Sequence, residues 1–466
     1  MVNPINRQII PFTFEDVNDL TELFDGHKYE TNHLIKNVSD KLNGEDSIGK
    51  SYKMKDSSRK LFQFGNSNNE MVIETRNNKK YTIKLTGIYV HVFESHLGFL
   101  DFEWEYLVDD EYDYLEVSYF LNELKNSDNI IKIKSGKDSY RSIIFKDAIK
   151  EILNKCFVGV VGFDGKGMNF QDLKPISYEY VYVKDNDREK IINSLNKAKN
   201  GYKESYKASE SENLISFDNS YWGASGNAIV NISSSTNDPV TNKFFETNFI
   251  SSFKTNYLVL TLLVLNQRFT LLKRIGQASN LVLYKIKKDE KEIIKSIKEI
   301  DSMVYKSELY NVRDNFFVAS YVEHINKFYL YLRSMLGISE LEKELQIKID
   351  SLRKVIEVYN NIVTMTREKR NVYNKLNEDY HRLFTLHIVL FFSQILAFLT
   401  SFTGTCEVIE KITNKDITPN NILFVIPIIL SMGIFVGILA KLVFDGKELR
   451  KVKIKRDKAK EDLLNS

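Results

Sequence analysis

Leu383-Phe-Thr-Leu-His387-Ile-Val-Leu-Phe391-Phe-Ser-Gln394-Ile-Leu-Ala-Phe398-Leu-Thr-Ser401-Phe-Thr403 is 21 residues long and carries no formal charge. A helix needs about 20 mostly apolar residues to cross the hydrocarbon core of a bilayer. A second run, 422–441, is uncharged over its first 19 positions and ends on Lys441. Phe391-Phe392, Ile395-Leu396 and Phe424-Val425-Ile426 leave no polar face wide enough for a soluble surface helix. Two transmembrane helices are therefore expected, 383–403 and 422–441, joined by an external loop at 404–421.

The flanking charges orient them. Arg367, Lys369, Arg370, Lys375 and Arg382 precede the first run, and Lys441, Lys447, Arg450 and Lys451 open a basic tail at 442–466. The connecting loop has only Lys411 and Lys415, against Glu407, Glu410 and Asp416. Basic flanks stay in the cytoplasm. The expectation is a multi-pass protein of the cell (inner) membrane with both termini cytoplasmic and the tail near anionic headgroups. No apolar run of signal-peptide length opens the sequence, so targeting is expected from the C-terminal segments. Gly433 and Gly437 have a GxxxG spacing that permits close helix approach, and Pro427 can kink the second span.

Toward the N-terminus, no glycine or proline occurs from 338 to 403, a run of 66 residues. An unbroken helix of that length extends about 100 Å, and Ser339 with Glu342 has the capping-box spacing of a helix start. This stalk helix has a 4-3 apolar alternation. One row is Leu345, Leu352, Tyr359, Thr366, Tyr373 and Tyr380; its companion is Ile349, Ile356, Val363, Arg370, Asn377 and Phe384. Stepping on by sevens brings the first row to His387, Gln394 and Ser401 and the second to Phe391 and Phe398. Polar side chains in a span face protein or water, because lipid cannot satisfy them. His387, Gln394 and Ser401 are thus expected to line a pore, with Phe391 and Phe398 as constrictions; the alternative is a closed bundle in which they bond to neighbouring helices. Thr385, Ser393, Thr400 and Thr403 form a second polar row on another face. A two-span chain cannot enclose a pore alone, so a channel requires a homo-oligomer.

Over all 466 positions 43% of residues are hydrophobic and 27% charged, so most of the chain reads as soluble, with length enough for two or three modules. Net charge is +3, too small for a dedicated nucleic-acid binder, so no direct nucleic-acid binding is expected. Two cysteines, Cys156 and Cys406, offer no disulfide framework or cysteine metal site. Period-two patterns predict a hairpin over 71–76 and 80–85 and strands at 87–93, 99–107, 157–163 and 178–183. On 99–107, Phe102, Trp104 and Tyr106 alternate with Asp101, Glu103 and Glu105. Residues 115–124 and 140–155 read as helices. The mixture predicts an α+β (mixed sheet) domain over 1–240, followed by a helical region at 241–382. The polar stretch 184–238 reads as flexible connections, and the nine apolar residues from Tyr257 as a buried helix too short to span.

Site chemistry is sparse. Asp109-Asp110-Glu111 with Asp113 reads as a solvated loop sooner than a divalent-cation site, and His91 and His96 as surface histidines. Gly159, Gly162, Gly165 and Gly167 fit neither a P-loop nor a Rossmann spacing and mark a turn. Trp222, among small residues, either stacks on a base or anchors its loop in the core. No combination of nucleophile, base and oxyanion donor emerges, so no catalytic residues are assigned and no enzymatic activity is expected. No metal ligands are assigned.

The order of parts resembles the CorA family of divalent-cation channels: a cytoplasmic mixed domain, a long helix entering the first span, a short outer loop, a second span and a basic tail. The helix from Tyr257 to Leu272, with Asn266-Gln267-Arg268 and Leu271-Leu272, and the opening Ile9-Ile10-Pro11-Phe12-Thr13-Phe14 are similar to segments of its divergent members. The resemblance implies a homopentamer whose first span lines the pore. The family's Gly-Met-Asn at the pore mouth is replaced by Thr403-Gly404-Thr405, and Gly167-Met168-Asn169 lies in the soluble part. That departure counts against Mg²⁺ selectivity. Divergent CorA-like proteins lacking the signature accompany type III CRISPR systems as membrane effectors, switched by a conjugate of S-adenosylmethionine and AMP. The resemblance therefore implies a nucleotide second messenger as ligand, possible Mg²⁺, no covalent cofactor, the lipid bilayer and a role in antiviral defence. Arg141, Lys146, Asp218 and Trp222 are its expected contacts, chosen as charge and stacking partners for an adenosine phosphate. A divalent-cation transporter and a membrane-anchored interaction protein without a pore remain open.

Overall fold

The computed structural model describes residues 4–62, 64, 70–74, 80–107, 130–134, 140–162, 175–184, 187–200, 217–282, 290–313, 315–413 and 422–464. The chain divides into two compact units: residues 1–283 with 301–351, and residues 284–300 with 352–466. This differs from a boundary at 240, because the helices after that point pack on the sheet.

The first unit is built on one large mixed sheet, and its strands in chain order are β1 (Ile5–Thr13), β2 (Asp16–Val17), β3 (Phe24–His27), β4 (Gly49–Met54), β5 (Glu70–Glu74), β6 (Lys80–Phe93), β7 (Leu97–Tyr106), β8 (Ile130–Lys134), β9 (Tyr140–Ile144), β10 (Phe157–Val158), β11 (Val161–Gly162), β12 (Ile176–Val183), β13 (Ser220–Ala224) and β14 (Ala228–Ser234). The order along the sheet is β13-β14-β12-β1-β7-β6-β5-β8-β9, with β3 and β4 attached through β6, β11 on β1, and β2 pairing separately with β10. The β12–β14 pair is parallel. The α-helices of more than four residues in this unit before residue 283 are α1 (Lys36–Asn43), α2 (Phe145–Cys156), α3 (Arg188–Asn200), α4 (Pro239–Glu246), α5 (Asn248–Ser252) and α6 (Leu258–Val282). After them come α7 (Glu290–Arg313), α8 (Glu323–Met335) and α9 (Ile338–Thr413), of which α7 and α9 also contribute to the second unit. The mixed α+β reading holds.

The sheet is covered on both faces. On one, Phe102, Trp104, Leu100 and Ile10 form a core with Phe145, Ile149, Ile152 and Leu153 of α2. Beside it, Ile191 and Leu195 of α3 pack on Tyr221, Val230 and Ile232. The other face meets α4–α6 and α8: Tyr178 stacks on Phe253 at 4.2 Å, and Trp222 lies 4.3 Å from Phe328 and 5.2 Å from Tyr257. Tyr178 and Tyr180 donate to the Phe253 and Phe245 carbonyls.

Several local expectations are corrected. Residues 140–144 are strand β9, not the first turn of a helix, because they pair with β8. The strands over 80–85 and 87–93 are one strand, β6, with a bulge between Leu85 and Gly87. The strand over 157–163 is two short pieces, β10 and β11, broken where Gly159 takes φ +65°. The polar stretch 184–238 contains α3, β13 and β14; Ser220, Asn231 and Ser233 bond to one another in the buried sheet, so their polarity is satisfied internally. Glu342 bonds Arg333 at 3.0 Å instead of capping α9, whose start follows Gly337 at φ +65°. The helix at 115–124, the acidic run at 109–113, the turn at 77–79 and the tripeptide at 167–169 lie outside the described residues.

Among the described residues, two helical stretches are long and apolar enough to cross a membrane by length and composition. Pro239–Leu281 has 67% of its apolar window buried, as a core helix does; the window in Ile338–Ser401 has none buried. The helix expected from 338 exists as α9, unbroken for 76 residues and extending to Thr413, past the expected start of the loop. The second apolar run opens α10 (Ile422–Leu464), which continues without a break through the basic tail.

Candidate functional site

The described part of the first unit contains a cleft of about 280 Å³ between the sheet and the start of α6. Five strands build its polar wall. Arg7 of β1 stands opposite Glu103 of β7, and Tyr89 of β6 opposite Asp101. A cross-strand row runs His27, Ser51, His91 over β3, β4 and β6. The other wall is Ser251, Lys254, Thr255, Leu258, Val259 and Leu262. Lys254 and Thr255 belong to a π-helical turn, Phe253–Tyr257, inserted before α6; such turns recur at functional sites because they re-aim side chains.

The buried charges are paired. Arg7 donates to Asp101 at 2.8 and 2.9 Å and lies 4.7 Å from the Tyr89 ring. Burial alone would raise the Asp101 and Glu103 carboxyls, but the Arg7 charge, joined by His91 at Asp101 and by Lys254 and Tyr89 at Glu103, holds both below their usual range. Glu103 accepts from Tyr89 Oη at 3.2 Å and meets Lys254 Nζ at 3.5 Å. Tyr89 is pushed up to about 12, by burial first and then by Glu103. His91 is buried, not at the surface, stacks with Tyr29 and approaches Asp101 at 3.5 Å; burial holds it below its usual value. Ser51 Oγ, in the same wall, is buried with no hydrogen-bond partner. The cleft thus offers ionised groups of both signs above an apolar floor.

The four expected ligand contacts do not make one site. Lys146 is the second residue of α2 and Arg141 lies in β9, whereas Trp222 packs on the sheet face opposite α2. Trp222 is buried among Phe249, Phe253, Tyr257 and Phe328, so it is an anchor and not a stacking platform. Asp218 is exposed in the turn before β13. The sequence reading missed Arg7, Ser51, Tyr89, Glu103 and Lys254. One signal was present: a lone arginine in the apolar strand around Ile9-Ile10.

In the second unit, α9 and α10 run antiparallel. Phe398 meets Phe435 at 5.3 Å, Gln394 donates to the Ile438 carbonyl at 3.4 Å, and a Cβ at Gly446 would stand 3.6 Å from His387 Cε1. Farther along, Arg456 covers the Tyr380 ring at 4.3 Å and Lys369 donates to the Asp462 carbonyl. His387 and Gln394 therefore face α10. Phe391 is 49% exposed on the uncovered side, and Ser401, Thr403 and Gly404 are exposed in the following turns. Thr405 lies in α9 as well. The hydroxyls of Thr385, Ser393, Thr400 and Thr403 donate to carbonyls of their own helix. Among the described residues, no group of three His, Cys, Asp or Glu side chains is placed to hold a metal ion.

No family model, curated protein or solved structure matches the chain.

Proposed function

We propose that this chain is the subunit of a CorA-like homo-oligomeric membrane channel, most simply a pentamer, opened by a nucleotide second messenger. On the resemblance, the messenger is an S-adenosylmethionine–AMP conjugate and the setting is type III CRISPR antiviral defence. Both termini are cytoplasmic, and the first span lines the pore. The carrying observation is α9: one uninterrupted helix that belongs to both units and has an apolar window with no part buried. A ligand opens such a channel only by binding its open form more tightly than its closed form. Phe391 and Phe398 are the hydrophobic constriction. Ser401, Thr403, Gly404 and Thr405 follow toward the outer mouth. His387 and Gln394, turned to α10, hold the two helices of one subunit together in the closed form and join the pore lining as the pair rotates.

The test is reconstitution. The purified chain in liposomes should form a ring of several subunits and release entrapped ions only when the conjugate is added. Phe391→Asn should raise leak without ligand. The His387 and Gln394 contacts with α10 also favour a second reading, a membrane-anchored interaction protein whose helices form a closed pair. A monomer or dimer with no flux would establish that reading and remove the channel.

A further inference from the structure

The Glu103–Lys254 pair differs from the other charges in the cleft. Arg7 is locked to Asp101 by a close, doubly bonded contact. Lys254 has a single ion pair at 3.5 Å, and its side chain is 41% exposed. Glu103 is fixed from behind by Tyr89 Oη and by the Arg7 charge, so it stays in place when Lys254 swings away. The walls thus present a fixed anion and a movable cation, side by side at the polar end of the space.

The charge count narrows the occupant. The lining holds Arg7 and Lys254 against Glu30 and Glu103, and Asp101 lies directly behind Arg7. No positive excess exists to draw in a polyphosphate. Leu258, Val259 and Leu262 line the same space, as do Tyr29 and His91, whose rings stack on each other. Ser51, 3% exposed, brings a buried, unpartnered Oγ hydroxyl to the same wall. A buried hydroxyl without a partner costs stability unless a ligand satisfies it. A volume near 280 Å³ suits a compact molecule.

We propose that this cleft binds a small zwitterion of α-amino-acid type, with its ammonium on Glu103 and its carboxylate on Lys254. Its side chain extends over Leu258, Val259 and Leu262 toward Ser51. The group is recognised free or as the amino-acid portion of a larger ligand. The inference rests on the soluble unit being a ligand sensor, but it concerns binding and not conduction. An α-amino acid places its two charges on adjacent atoms of one carbon, matching the close spacing of the pair. Either half alone would leave one member of the pair displaced and unmatched.

The test is thermal unfolding of the full chain in detergent, followed by calorimetric titration. L-phenylalanine and L-methionine are the zwitterionic probes. 3-Phenylpropionate lacks the ammonium, phenethylamine lacks the carboxylate, and AMP represents a nucleotide without the amino-acid group. Stabilisation by the amino acids alone is expected. Lys254→Met, at a partly exposed position that tolerates substitution, should weaken binding by about tenfold or more, as loss of a charge-assisted contact does. Glu103→Gln should do the same if it folds, and Lys254→Met decides the matter if it does not. The proposal is overturned if no amino acid binds, if either half-molecule or AMP binds as well, or if Lys254→Met binds unchanged. A Lys254→Met chain that loses amino-acid binding yet still opens fully on adding the conjugate would confine the site to free amino acids and leave the channel standing; silence of the unmodified chain in flux with intact amino-acid binding would remove the channel and leave the site.

Discussion

Arg7 Nη2 stands 2.8 Å from Asp101 Oδ2, and the two side chains are 4% and 0% exposed. The contact joins β1 to β7 across 94 positions of sequence in the middle of the sheet. Removing one partner strands a buried charge, which costs about 3–5 kcal/mol. Arg7→Met should therefore lower the unfolding free energy by roughly that amount. Arg7→Met combined with Asp101→Leu should recover much of the loss. Denaturant unfolding of the single and double variants measures both.

Acid should loosen the first unit well before its carboxylates titrate. Burial depresses the imidazoles of His91, His27 and His324 below the usual 6.5. Around His91, Asp101 opposes that shift and Arg7 adds to it; around His27, His91, Lys53 and Arg7 add to it and Glu30 opposes it. For His324, His33 adds and Glu323 opposes. A depressed histidine contributes stability that is present above 6.5 and is lost as pH falls, because the unfolded chain takes up the proton first. Midpoints of thermal unfolding should drop from pH 7.5 to 5.5, and His91→Gln should flatten that dependence.

Trp222 provides a separate check on the face that meets α4–α6 and α8. Truncation to alanine should cost about 3–5 kcal/mol, and phenylalanine much less. Its emission should be blue-shifted in the folded chain, since Trp104 and Trp222 are both buried. A red emission that Trp222→Phe abolishes would show that the side chain reaches water.

The two cysteines should separate cleanly in a labelling experiment. Burial pushes the Cys156 thiol up to about 12, so it should stay inert at neutral pH. Cys406 is exposed near the C-terminal end of α9. In intact cells, a membrane-impermeant maleimide added from outside should label Cys406 alone. Labelling only after permeabilisation would reverse the orientation drawn from the flanking lysines and arginines.

The long helix was legible because nothing in 338–403 interrupts it, and the Leu345-to-Gln394 row does mark its covered side as far as it meets α10. The companion row failed at the membrane end. Leu376, Leu383 and Leu390 are partly covered there, while Phe384 and Phe391 are exposed. Contact with α10 rotates the covered side of the helix away from that row. The alternation on β7 predicted a polar face, yet Asp101 and Glu103 are buried. Their neutraliser, Arg7, lies far away in sequence, so no local pattern reports it. Similarly, Ser220, Asn231 and Ser233 read as loop residues until their mutual hydrogen bonds are seen. The cleft was invisible for the same reason: its residues come from β1, β3, β4, β6, β7 and the turn before α6.

Because α9 and α10 lie head to tail, from Phe398 beside Phe435 to Lys369 beside Asp462, their peptide dipoles point in opposite directions. Each helix alone would place about half a unit charge at either end. Side by side, the two largely cancel, so the pair imposes little axial field of its own. An ion passing along such a pair would be sorted by the side chains it meets and not by the polarity of the backbone.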